Sequence, residues 1–208
     1  MAYLGTNLVP LVAQIDPHFA RTPQAELYAH LVLAFSTKSL RTLATPSSKA
    51  MQFLRHLVHL TRLLALDIFS EMAGFWAGLL EEVLRLKENS QDFVTGQMES
   101  LLVELFQALI ERTTYPPHVM QMLQNKSERD VTGSCHDAEV VYSCREHANH
   151  YQLFQLISNY LSVQEFLHHA CDKIRSLADD CKGMNIWSTL EAILASLYTP
   201  LRRVPNVN

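Results

Sequence analysis

Histidine is the most enriched reactive residue type in this 208-residue sequence, which contains ten of them. Two pairs have the spacing of metal ligands on a helix, namely His56 with His59 and His147 with His150. Positions three apart lie on one face of a helix, so each pair would present two imidazoles to one metal ion. The other histidines are His18, His30, His118, His136, His168 and His169.

One segment collects several potential metal ligands, Cys135, His136, Cys144, His147 and His150. Cys144 and His147 would share a helical face, but the spacing differs from zinc fingers, which pair Cys-x2–4-Cys with His-x3–5-His. Solvated histidines on polar helix faces are therefore the favoured interpretation. We predict no metal, no cofactor and no catalytic residues, and we keep a metal-dependent helical enzyme as a third hypothesis.

Motifs for nucleophilic or phosphate chemistry are absent from the sequence. It contains neither a Gly-x-Ser-x-Gly elbow nor a Walker loop, so we predict that the protein is not an enzyme. The acidic pairs Glu81-Glu82 and Asp179-Asp180 are adjacent residues, and neighbours on a helix point about 100° apart. Neither pair converges on a substrate, and we expect both to be solvated.

Two tryptophans and one glycine pair suggest packing. Trp76 and Trp187 each fall on the apolar stripe of a predicted helix, which favours a core position over an exposed stacking surface. Gly74 and Gly78 form a G-x-x-x-G motif, which in a helix that carries charges indicates close helix packing.

The charge distribution argues against nucleic acid as a partner. Lys and Arg number 17 and Asp and Glu number 21, giving a net charge of -4. Residues 1–113 and 114–208 each carry two more acidic than basic groups, so neither half is a phosphate-binding surface. No apolar stretch is long enough to cross a membrane, the N-terminus lacks a signal-peptide pattern, and the four cysteines are too few for a disulfide framework.

The distribution of proline predicts an all-α protein. Residues 47–115 and 118–199 contain no proline, and both stretches are rich in Leu, Ala, Glu, Gln and Met. Proline breaks helix interiors, so its absence over such lengths permits long helices. Hydrophobic residues make up 48% of the chain, enough to form a sizeable core.

Apolar residues at helical spacing predict seven principal helices. The first covers 24–43, with the apolar residues Leu27, Tyr28, Leu31, Val32 and Phe35. The seventh is expected to stop at Pro200. The others are marked by apolar residues from Met51 to Leu64, opened by Ser47 or Ser48; from Phe69 to Val83, ending near Glu88-Asn89; from Met98 to Leu109, closed by Tyr115-Pro116-Pro117; from Tyr151 to Leu161; and from Val163 to Leu177. A short helix at 118–124 and a flexible polar loop near 125–139 are also predicted.

Amphipathic helices in succession must bury their stripes against neighbours. We predict a single HEAT-like array over 1–208, an α-solenoid of about four to five antiparallel helix pairs, because HEAT and armadillo repeats run about 40–47 residues. A closed helical bundle is the alternative architecture.

Several runs resemble the importin-β superfamily. In the run 67–79 an aromatic–Trp pair, Phe75-Trp76, precedes Leu79, and the run 187–197 is similar to the family's W-x-x-x-E-A-x-L helix. Between them, a long helix, an acidic loop and a helix opening with Tyr142 to Arg145 follow in the same order. The resemblance covers about 47–204 and is to the middle HEAT repeats of the transportin-SR and importin-thirteen type, in the neighbourhood of exportin-one.

This resemblance implies a nuclear transport receptor, or a fragment of one, that shuttles between cytoplasm and nucleus. Protein cargo would bind the inner face, Ran-GTP would change the curvature, and phenylalanine-glycine nucleoporins would be further partners. The chain departs from the family at 146–150, where the family carries acidic residues and a lysine. Family members are several times longer, and no partner-binding residue transfers. A general HEAT-repeat scaffold for protein–protein interaction is the alternative function.

Overall fold

The computed structural model describes residues 23–45, 47–63, 66–89, 95–114, 148–179 and 185–202. Helices account for nearly all of this part of the chain, which contains no strand, and the all-α prediction is confirmed. The short helix at 118–124 and the loop at 125–139 lie outside the described residues. The helices are α1 (Pro23–Lys38), α2 (Leu40–Ala44), α3 (Ser48–Leu63), α4 (Leu66–Asn89), α5 (Thr95–Thr113), α6 (Ala148–Leu161), α7 (Val163–Asp179) and α8 (Asn185–Arg202).

The prediction of one helix over 24–43 was wrong, because the chain turns at Ser39 between α1 and α2. The Ser39 amide donates to the Ser36 carbonyl at 3.0 Å, which tightens the end of α1. The hydroxyls of Ser36 and Thr37 donate to the carbonyls of Val32 and Leu33. Side-chain donors of this kind compete with the helix ladder, and two in succession mark the point where it ends.

The predicted stop at Pro200 was also wrong, because α8 continues to Arg202. Pro200 lies in the last turn, where its missing amide leaves a single carbonyl, that of Ser196, without its helical donor.

The chain divides into two compact units, Met1–Ala108 and Leu109–Asn208. In the first unit, α1 packs against α2 and α4, and α2 packs against α3 and α4. Trp76 is fully buried, and its indole Nε1 donates to the hydroxyl of Thr61 on α3 at 3.0 Å. Most of this unit's buried apolar side chains lie on α3, α4 and α5, among them Met51, Leu54, Leu57, Val58, Phe69, Met72, Leu80, Val83, Leu101, Leu102, Leu105 and Phe106.

In the second unit, α6, α7 and α8 each pack against the other two. Phe154 and Phe166 meet edge-to-face, with ring centroids 6.5 Å apart. Ser162 joins α6 to α7 with a φ of 70°, the left-handed conformation that commonly ends a helix. Its hydroxyl also accepts from the Glu165 amide at 3.3 Å, so one residue ends α6 and caps α7. The predicted single array over 1–208 stays a prediction.

Candidate functional site

Helix α1 presents apolar side chains on the face opposite its core contacts. Ala29, Val32 and Leu33 are buried, whereas Leu27 is 62% and Leu31 63% exposed. The expectation that Leu27 and Leu31 belong to the buried stripe was wrong. Apolar residues occur all around α1, so their spacing did not define one face, and the contacts with α2 and α4 selected it.

A groove runs beside this exposed face, between α1 and α4. We call it the α1–α4 groove; it has a volume of about 540 Å³ and is lined by His30, Leu33, Ala34, Thr37, Leu40, Glu71, Gly74 and Phe75. At its rim, His30 Nδ1 lies 3.0 Å from Glu71 Oε2, and both side chains are about half exposed. The volume falls in the range of pockets that accept small molecules or single large side chains.

A second concave region of about 550 Å³ adjoins the α1–α4 groove at Thr37 and Leu40. It is charged, because its lining includes Lys38, Arg41, Glu81, Glu82 and Arg85. The two regions therefore give this surface an apolar part and a charged part.

The prediction that Glu82 is solvated was wrong, because its side chain is 17% exposed. Its carboxylate accepts from Arg85 Nη2 at 2.6 Å and Nε at 2.8 Å, and Arg41 Nε lies 3.9 Å away. The hydrogen bond from Arg85, together with the charges of both arginines, lowers the pKa of Glu82. Arg41, by contrast, is 90% exposed.

The histidine pair His56 and His59 does not form a chelating pair. His56 is buried and its Nε2 has no hydrogen-bond partner, whereas His59 is exposed. Burial, with a smaller contribution from the charge of His59, lowers the pKa of His56 to about 4. The imidazole of His56 is therefore neutral at neutral pH.

The structure brings no metal centre together in the part of the chain that it describes, where no three potential ligands converge. His168 pairs with Asp172 at 3.2 Å, and Cys171 is an exposed free thiol. The side chains of the predicted cluster from Cys135 to His150 lie outside the described residues. The predictions of no metal, no cofactor and no catalytic residue stay predictions.

The residues predicted to pack in the core lie partly inside and partly outside the described part of the chain. The core position predicted for Trp76 is confirmed, and the side chain of Trp187 lies outside the described residues, as does that of Asp179. A Cβ at Gly78 would lie 3.5 Å from Leu40 Cδ1, an ordinary van der Waals distance. Helix α2 therefore approaches α4 closely at Gly78, as the G-x-x-x-G motif indicates, although an alanine would also fit there.

Comparison with known proteins adds no relative: no family model, no curated protein and no solved structure matches this chain. None of the helices among the described residues is sufficiently long and apolar to cross a membrane. Among the described residues, the exposed face of α1 and the two adjoining concave regions offer area for binding. Sequence reasoning missed them, although the continuous apolar composition of α1 was a visible signal.

Proposed function

We propose that this protein is a HEAT-repeat nuclear transport receptor, or part of one, that binds protein cargo and works with Ran. The observation that supports this most is the aromatic–Trp helix α4. Phe75, Trp76 and Leu79 are all at least 96% buried, and the Trp76 indole bonds to α3. The residues that carry the resemblance therefore hold consecutive helices together, as a repeat array requires.

The proposed mechanism is coupled binding. An α-solenoid of paired helices has few contacts between distant repeats, so its curvature changes at low cost. If Ran-GTP and cargo favour different curvatures, each lowers the affinity for the other, and the two effects are equal by thermodynamic linkage. Phenylalanine-glycine nucleoporins would bind apolar surface and carry the protein between cytoplasm and nucleus.

Binding to Ran tests the proposal directly. The 208-residue chain is immobilised and exposed to Ran loaded with a non-hydrolysable GTP analogue, with Ran-GDP as the matched control. We expect preference for the GTP form, or binding to phenylalanine-glycine repeats. Equal binding to both nucleotide forms, with no retention of the repeats, would overturn the transport function.

A general interaction scaffold is the second candidate function, and the exposed leucines of α1 favour it, because exposed apolar side chains in a row indicate a protein contact. Small-angle scattering tests the architecture that both functions share. A compact 208-residue protein has a radius of gyration of about 17 Å. A clearly larger value with an elongated profile supports the solenoid, whereas a value near 17 Å favours the closed bundle.

A further inference from the structure

We draw no further inference here: the strongest candidate, the apolar α1–α4 groove with the exposed leucines beside it on α1, carries none because nothing in the structure shows what covers it.

Discussion

Helices α1 and α7 are similar in length but differ in how their apolar residues are distributed. In α7, Phe166 and Ala170 are buried while Glu165, His168 and Asp172 are exposed, so one face serves the core and the other serves water. In α1, leucines occupy both the inner and the outer face. Helix α7 buries its apolar face in its own unit and exposes its polar face to solvent. Helix α1 still exposes apolar side chains after it has packed against α2 and α4. The exposed leucines of α1 are accessible to a partner, whereas buried ones stabilise the fold.

The largest expected effect on the free energy of unfolding comes from comparing a buried apolar residue of α7 with an exposed one of α1. Phe166→Ala should lower the free energy of unfolding by about 3–5 kcal/mol, because it removes a ring that is 1% exposed and packs on Phe154. Leu31→Ala should change it by no more than about 0.5 kcal/mol, since that side chain is 63% exposed. Urea unfolding followed by circular dichroism measures both. If both variants lost a similar amount of unfolding free energy, the two positions would not differ in burial as described.

The buried histidine of α3, His56, provides a second comparison between a buried and an exposed position. The pKa of His56 is about 4 in the folded chain and 6.5 when solvated, so between these values the unfolded chain binds the extra proton. The contribution of the neutral imidazole to the free energy of unfolding is therefore fully present above about pH 6.5 and is lost as the pH drops towards 4, by at most about 3 kcal/mol in all.

The measurement for His56 is the pH dependence of urea unfolding in the wild type and in His56→Leu. The variant lacks this titration, so the difference in unfolding free energy between wild type and variant should shift by that amount, in the variant's favour, over the same pH range. His59→Gln is the control at an exposed position three residues away; it removes only the smaller contribution to the pKa of His56 and should retain most of the wild-type slope. An unchanged slope in His56→Leu would show that His56 is solvated in the fold.

The smallest effect concerns the junction that separates α7 from α6. Ser162→Ala removes the hydroxyl that caps α7 and leaves a Cβ at a φ of 70°, so we expect a loss of about 1 kcal/mol. Ser162→Gly also loses the cap but tolerates this φ, and should cost only a few tenths. Thermal unfolding ranks the two variants. A glycine variant less stable than the alanine variant would contradict the left-handed conformation.

The sequence alone predicted the α3–α4 core well. Met51, Leu54, Leu57 and Val58 repeat with one clear face, and all four are buried. The core position of Trp76 followed from the same pattern. Here polar residues occupy the other face, so only one orientation of the helix removes the apolar side chains from water.

The buried face of α1 could not be predicted in this way, because several faces of this helix are apolar and each could form the buried side. The break at Ser39 depends on hydroxyls that turn back to carbonyls one turn earlier. Glu82 and Arg85 lie three apart on α4, so their pairing is local, whereas the approach of Arg41 to within 3.9 Å of Glu82 depends on how α2 packs on α4. Local periodicity therefore predicted the helices, and it predicted the buried face of a helix wherever polar residues occupy the opposite face. Only the packing of one helix on another decided which leucines remain exposed, because burial depends on neighbours distant in the chain.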